Sequence, residues 1–97
     1  MTPISQIKDL AQHVQQEVTL RGWVYGKRSG GKIIFLLVRD GTGVCQCVVD
    51  AAKADLFKSA DLLQQESSLE VTGMIAKDER APGGFEMTIA GLKPIQV

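Results

Sequence analysis

The sequence has no excess of charge of either sign, because eleven lysine and arginine residues balance eleven aspartate and glutamate residues. This balance argues against a protein that holds nucleic acid through bulk positive charge. The sequence also lacks an apolar run approaching the roughly 20 residues that span a bilayer. Its start, MTPISQIKDL, lacks the cationic and apolar regions of a secretory signal. We therefore expect a cytoplasmic protein without a membrane partner.

Metal-binding and catalytic motifs are equally scarce. Cys45 and Cys47 are too close in sequence for a good disulfide, and they do not form the C-x-x-C pair of a zinc site. The lone His13 lies far from both, and there is no H-E-x-x-H motif or P-loop. We interpret the cysteines as small buried apolar side chains. An enzyme is the least supported class, and no cofactor or metal is expected.

The sequence is long and apolar enough for one domain, and its charged residues are unevenly distributed. Its 97 residues, 44% of them hydrophobic, suit a single globular domain. Five basic residues and no acidic one fall within Arg21–Arg39, whereas acidic residues gather in Asp40–Glu70. The pattern predicts one local positive patch, or simply a solvated basic hairpin.

Hydrophobic periodicity predicts a leading helix and a barrel over residues 17–97. Helical spacing in Ile4–Val14 places a short amphipathic helix within residues 1–15, with Ser5 or Thr2 as its cap. Alternation then predicts five strands. The strands begin at Glu17, Lys32, Val44, Ser68 and Phe85. GKRSGGK (26–32) is interpreted as a flexible loop, and Asp50 as the cap of a helix between the third and fourth strands.

A helix, three strands, a helix and two strands is the order of an OB-fold, an all-β five-stranded Greek-key barrel. We expect its five strands to be antiparallel. The outer face of such a barrel, around strands two and three, binds oligonucleotides or oligosaccharides. A small SH3-like barrel is the nearest competitor, but the inserted helix argues against it.

Three residues are expected on the outer face of this barrel. If Ile34 and Cys45 point inward, alternation turns Phe35, Gln46 and Glu86 outward. An exposed aromatic can stack on a base, and an amide can read the edge of a splayed-out base such as uracil. An ionised carboxylate only accepts hydrogen bonds, so it suits the N–H groups of guanine.

Basic residues beside this face complete the expected site. Arg28, Lys27 and Lys32 would hold the RNA backbone and set its register. Each residue also has a plainer interpretation: Phe35 could cover a hydrophobic seam, and Gln46 could be an ordinary exposed strand residue. Trp23 and Tyr25 are interpreted as structural residues of the barrel.

The same stretch carries a family resemblance. VTLRGWVYGKRSGGKIIFLLVRDGTGVCQCVV (18–49) combines R-G-W-V, a basic pair followed by glycine, an apolar strand with phenylalanine, R-D-G-T-G and a third-strand glutamine. This combination resembles the amino-terminal anticodon-binding domain of class IIb aminoacyl-tRNA synthetases, the aspartyl, asparaginyl and lysyl enzymes. The later ERAPGGFE is similar to the asparaginyl branch in particular. The resemblance covers nearly the whole chain.

The resemblance implies roles for the outer-face residues. In the family this face receives an unstacked anticodon with a central uridine, on which Phe35 would stack and to which Gln46 would hydrogen-bond. Glu86 would contact the first anticodon base, a guanine. Arg28 matches a family arginine near the backbone or the third base, and Lys77–Gly84 is a candidate for distinguishing the third base. The implied partner is asparagine tRNA, although aspartate tRNA presents the same first two bases.

The sequence departs from the family in lacking its catalytic domain. Neither the arginine-glutamate motif nor the glycine-rich arginine motif of class II enzymes is present. We therefore expect no aminoacylation by this chain alone, and ATP and magnesium would belong to the missing domain. The chain is either part of an asparaginyl synthetase or a free-standing descendant, and it could still form a homodimer. A general single-stranded nucleic-acid binder and a protein-interaction or dimerisation domain are the alternatives.

Overall fold

The computed structural model describes residues 4–63 and 67–96. Five strands hydrogen-bond in a closed ring in the order β1-β2-β3-β5-β4. The strands are β1 (Glu17–Gly30), β2 (Ile33–Arg39), β3 (Val44–Asp50), β4 (Ser68–Lys77) and β5 (Phe85–Gln96). A 3₁₀ helix, Ile7–His13, precedes them, helix α1 (Ala54–Leu62) joins β3 to β4, and a 3₁₀ turn (Pro82–Gly84) precedes β5. The predicted barrel with its two helices is confirmed.

The interior of the ring is filled by the alternate residues that the sequence pattern places inward. Ile34, Leu36 and Val38 of β2 are fully buried, as are Cys45 and Cys47 of β3. The two helices add buried side chains to the same core, which are Ile7, Leu10 and Ala60. Burial of apolar area at about 25 cal/mol per Å² is what holds such a barrel together. Among the described residues, no helix is long and apolar enough to cross a membrane.

One pair of strands is parallel, which corrects the expectation of five antiparallel strands. β3 and β5 run in the same direction, with Gln46 opposite Glu86, Cys47 opposite Met87 and Val48 opposite Thr88. The other four pairs in the ring are antiparallel. Strand direction cannot alternate all the way around a ring with an odd number of members. Closure therefore requires a parallel pair, and it falls where β5 meets β3.

Strand β1 extends well beyond its predicted end. The segment 26–32, interpreted as a flexible loop, is instead strand as far as Gly30, with a two-residue turn before β2. Its pairing with β2 shifts register between Val24 and Gly26, so Tyr25 is the extra residue of a β-bulge. The prediction failed because glycine and polar residues suggest a loop, whereas here the backbone hydrogen bonds of β2 hold them in a strand.

The leading helix is capped from the turn between β2 and β3. The Ile7 N–H donates to Asp40 Oδ2 at 2.8 Å, and the Lys8 N–H donates to Thr42 Oγ1 at 3.1 Å. Ser5 was expected to cap the helix, but its hydroxyl donates to the Gln6 carbonyl instead, and Thr2 lies outside the described residues. The cap predicted from the adjacent sequence is therefore replaced by one from a turn more than 30 residues away.

The Asp40 carboxylate is held in its charged form by these contacts. Partial burial by itself raises the pKa of Asp40, but hydrogen bonds from the Thr42 hydroxyl and from surrounding backbone N–H groups outweigh it. The net effect lowers the pKa of Asp40 below its ordinary value of 3.8. The ionised carboxylate therefore joins the leading helix to the barrel.

Helix α1 begins later than its expected cap. Lys53 occupies the cap position, and no side chain caps the helix. Asp50 Oδ1 accepts the Ala52 N–H at 2.8 Å, so this carboxylate closes the turn that leaves β3. At the other end, the Lys27 ammonium donates to the carbonyl oxygens of Asp61 at 2.7 Å and Leu63 at 2.9 Å. A cation at this end also complements the helix dipole.

Candidate nucleic-acid interface

The outer face of β2, β3 and β5 brings together the three residues singled out by their alternation. Phe35 lies opposite Val48, and Gln46 lies opposite both Leu37 of β2 and Glu86 of β5. Phe35, Gln46 and Glu86 are all partly exposed. Their neighbours on the inner face are buried, except for Phe85, which is partly buried against the core. The structure therefore places all three side chains on the outer face of the barrel, as expected from the alternation.

A groove of about 690 Å³ passes over this face. Its apolar floor includes Ile33, Phe35 and Val48, and Gln46 and Thr88 supply neutral polar groups. Its charged rim consists of Arg28, Asp50, Asp78, Arg80 and Glu86. An apolar surface with both donors and acceptors beside it suits the ring and the edge of a nucleobase.

A second groove of about 480 Å³ adjoins the first and differs from it in charge. Gly26, Lys27 and Leu37 line this groove alone, whereas Arg28, Phe35, Gln46 and Arg80 line both grooves. No carboxylate among the described residues lines the second groove, but three basic side chains do. The second groove therefore suits phosphate, and the first suits groups that donate hydrogen bonds to carboxylates.

The amide of Gln46 is bound across the parallel strand pair. Its Nε2 donates to Glu86 Oε2 at 2.8 Å. Because an ionised carboxylate has no hydrogen to give, the nitrogen of the amide must face Glu86. The Oε1 atom and the second N–H of Gln46 then remain to meet a ligand between the two grooves.

Comparison with known proteins identifies the family of this barrel. Residues 18–95 match the family model described as the OB-fold nucleic acid binding domain. The chain belongs to this family. Its fold also superposes on asparaginyl-tRNA synthetase from Pyrococcus horikoshii complexed with asparaginyl-adenylate, with a TM-score of 0.90 and 38% identity, covering 100% of this chain and 23% of that one. The predicted OB-fold is confirmed.

Full-length relatives are much longer than this OB domain. The chain is 50% identical over 93 residues to asparagine–tRNA ligase of Pelotomaculum thermopropionicum, covering 94% of this chain and 22% of that protein. It is 48% identical over 91 residues to asparagine–tRNA ligase of Thermus thermophilus, covering 92% of this chain and 21% of that protein. The chain thus spans about a fifth of the length of the curated relatives that it matches.

The bulge at Tyr25 decides which basic side chain of the OB domain joins Phe35. Arg28 pairs with Phe35, and Lys27 pairs with the inward-facing Leu36. The Arg28 guanidinium lies over the Phe35 ring, with its Cζ 4.9 Å from the centroid. Without the extra residue, strict alternation along β1 would turn Lys27 outward and Arg28 inward. The bulge therefore separates two neighbouring cations that the sequence pattern had grouped together.

The other two basic residues predicted for the site, Lys27 and Lys32, do not contact the Phe35 ring as Arg28 does. The Lys27 ammonium has two of its three donors on carbonyl oxygens at the end of α1. Lys32 lies exposed at the tip of the β1–β2 hairpin and lines neither groove. It lies in the turn directly before Ile33, which lines the first groove, and its contact with the RNA backbone stays a prediction.

Arg80 is the functional candidate that the sequence pattern did not single out. It lies in the segment 77–84, for which no individual contact had been named, and it lines both grooves. Its Nε is 3.8 Å from Asp78 Oδ1, and its side chain is 95% exposed. The only cue in the sequence was a basic residue just before the proline and glycines of the turn.

Two features predicted to be structural lie away from the grooves. The Arg39 guanidinium lies over both aromatic rings of β1, 5.9 Å from the centroid of Trp23 and 5.6 Å from that of Tyr25. Cys45 and Cys47 are buried and free, as predicted. Hydrogen bonding with Cys45 and complete burial raise the pKa of the Cys47 thiol well above its ordinary value, so this thiol stays protonated and unreactive.

Proposed function

We propose that this OB domain binds the unstacked anticodon loop of a tRNA with a central uridine, and that this tRNA is asparagine tRNA. The observation that carries the proposal is the convergence of Phe35, Gln46 and Glu86 on one groove of a nucleic-acid-binding fold. The name of the relatives, asparagine–tRNA ligase, supports the choice of tRNA.

The central uridine would stack on Phe35 and hydrogen-bond with Gln46. The guanidinium of Arg28 covers the Phe35 ring in the free protein, so the entering base displaces it toward the phosphate backbone. The second groove, with its basic rim, then receives that backbone. We assign phosphate contacts to Arg28 and Arg80, because both arginines line the two grooves.

The first anticodon base would meet the acidic part of the first groove. Guanine presents adjacent N–H donors, and Glu86 has a second carboxylate oxygen beside the one that Gln46 uses. The third base would lie near the turn that carries Arg80, which is where we place the distinction between asparagine and aspartate tRNA.

The chain itself would bind without catalysing a reaction. We propose that it is the anticodon-reading part of an asparagine–tRNA ligase, because it spans about a fifth of those relatives, and that aminoacylation, ATP and magnesium belong to the rest of such an enzyme. A homodimer would then form through that larger protein.

The test is a binding titration with three labelled anticodon stem-loops at one stated salt concentration. Loops carrying GUU, GUC and GCU differ only at the central or third base, and fluorescence anisotropy gives the Kd of each. We expect both uridine-centred loops to bind at least about tenfold more tightly than GCU, the equivalent of about 1.4 kcal/mol. Tighter binding of GUU than of GUC would assign the domain to asparagine tRNA.

Variants connect that preference to the groove. Phe35→Ala should weaken binding of GUU by about 1–3 kcal/mol, the usual value of base stacking on an aromatic ring. Tyr25→Ala is the matched control, since Tyr25 is an exposed aromatic residue outside both grooves. Equal binding of all three loops would instead indicate a general single-stranded nucleic-acid binder, and absence of binding would refute the proposal.

A further inference from the structure

We infer that Glu86 is a positioning residue for the central base, because it holds the Gln46 amide in the one orientation that distinguishes uracil from cytosine. This inference rests on the proposed function, in which Gln46 reads the central base. It adds a second role for Glu86, separate from the contact with the first base.

The geometry of the parallel strand pair makes this role specific to Glu86. Gln46 and Glu86 lie directly opposite each other on β3 and β5, and the bond from Nε2 to Oε2 is 2.8 Å long. An unconstrained amide can rotate by half a turn and exchange its oxygen and nitrogen with little change in shape. Against a carboxylate, the rotated amide would bring two acceptor oxygens together. Glu86 therefore permits one orientation of the amide only.

The two orientations of an amide are complementary to different pyrimidines. Uracil presents an N3–H donor beside a carbonyl acceptor, whereas cytosine presents an N3 acceptor beside an amino donor. The Gln46 amide that offers Oε1 to N3–H and N–H to the carbonyl matches uracil at both positions. Against cytosine, the same amide places its Oε1 opposite the N3 acceptor and its N–H opposite the amino donor, so neither hydrogen bond can form. Rotating the amide reverses this preference, so its orientation decides which base is accepted.

The test is the ratio of the two dissociation constants for loops that differ only in the central base. GUU and GCU share their first and third bases, so any effect of Glu86 on the first base cancels in the ratio. Glu86→Gln supplies a partner that can accept from or donate to Gln46, and Glu86→Ala supplies none. We expect both variants to lower the preference for uracil by about fivefold or more, the factor expected for one hydrogen bond.

Asp50→Asn is the matched control. Asp50 lines the same groove and carries the same charge, but its described hydrogen bond is to the Ala52 N–H rather than to Gln46. Asparagine keeps the Oδ1 acceptor of that turn, so the fold is retained while one negative charge is removed. The Asp50→Asn variant should keep the wild-type ratio even if it alters the affinity for both loops.

A direct readout of the amide separates positioning from a general loss of structure. In the wild-type protein the two side-chain amide protons of Gln46 should give distinct NMR signals, one shifted by the bond to Glu86. In Glu86→Ala the shift should be lost, while the thermal midpoint falls by no more than about 4–8 °C, the change expected for the loss of one hydrogen bond in a domain of this size.

The outcomes distinguish this inference from the function on which it rests. A wild-type domain without a preference for GUU over GCU would overturn the proposed function, and the inference with it. A wild-type preference that both Glu86 variants retain would overturn the inference alone. An equal fall in the ratio for Asp50→Asn would also overturn it, because the effect would then arise from charge rather than from the bond to Gln46.

Discussion

Lys27 and Arg28 are neighbours with the same charge, yet the structure predicts opposite consequences for replacing them. Lys27→Ala should destabilise the fold and leave RNA binding largely intact, because the ammonium binds the carbonyl end of α1. Arg28→Ala should weaken RNA binding and leave stability largely intact, because its guanidinium lies over Phe35 at the surface.

The magnitude for Lys27 follows from two short contacts. Its Nζ is 2.7 Å from the Asp61 oxygen and 2.9 Å from the Leu63 oxygen. A hydrogen bond to a charged group contributes about 1.5–3 kcal/mol, and a cation at a helix carboxyl end about 0.3–1 kcal/mol. Because the side chain is exposed, water screens both terms, and we expect a net loss of about 1–2 kcal/mol. In a domain of this size that lowers Tm by about 5–15 °C.

Two measurements on the same variants test this contrast. Urea unfolding gives the free energy of unfolding for Lys27→Ala, with Lys32→Ala as the control for removing an exposed positive charge. The slope of log Kd against log salt counts phosphate contacts, and each lost contact with a single strand changes it by about 0.7. We expect that change for Arg28→Ala and not for Lys27→Ala. A Lys27→Ala variant with wild-type stability and a reduced salt slope would show that this ammonium binds RNA, and would refute the reasoning.

Two further predictions concern stability alone. Asp40→Asn should lower the free energy of unfolding at pH 7 by about 1–3 kcal/mol, because an amide nitrogen cannot accept the Ile7 N–H. The pKa of Asp40 is lowered from 3.8 in the folded protein. Its contribution is therefore fully present well above pH 3.8 and is lost as the pH falls through the lowered value. Urea unfolding at about pH 7 and about pH 3 should show the wild-type advantage shrinking. Gly73→Ala should lower the free energy of unfolding by about 1–3 kcal/mol or prevent folding. Its new Cβ would collide with the Thr88 carbonyl oxygen and lie 2.7 Å from Met87 Cγ. Gly91→Ala, whose Cβ would meet nothing closer than 3.9 Å, should be nearly neutral. Thermal melts of both variants test this, and equal losses of stability for the two would contradict the packing at Gly73.

Residue alternation along β2, β3 and β5 was enough to predict the outer face. Side chains of a strand point to opposite faces with a period of two, so a run of apolar residues identifies its inward set and leaves the others outside. Phe35, Gln46 and Glu86 followed from that rule, and so did the buried cysteines. The order of strands and helices likewise indicated the barrel, because each segment had its own period.

Periodicity failed at the point where β1 contains an extra residue. The bulge at Tyr25 reverses the alternation beyond it, which moves Arg28 onto the binding face and Lys27 toward α1. Nothing in GKRSGGK distinguishes these two cations, because the register of β1 is set by its hydrogen bonds with β2. The sequence predicts a loop here because the glycines and polar residues of this segment carry no strand period.

The parallel pairing of β3 with β5 is a second feature that the local sequence pattern does not predict. It follows from closing an odd-membered ring, and it brings Gln46 beside Glu86 across 40 residues of sequence. The periodicity of a strand tells which way each side chain points, since that depends on adjacent peptide units. Which partner it meets there depends on the register between distant strands, and that register is set when the whole ring closes around its core.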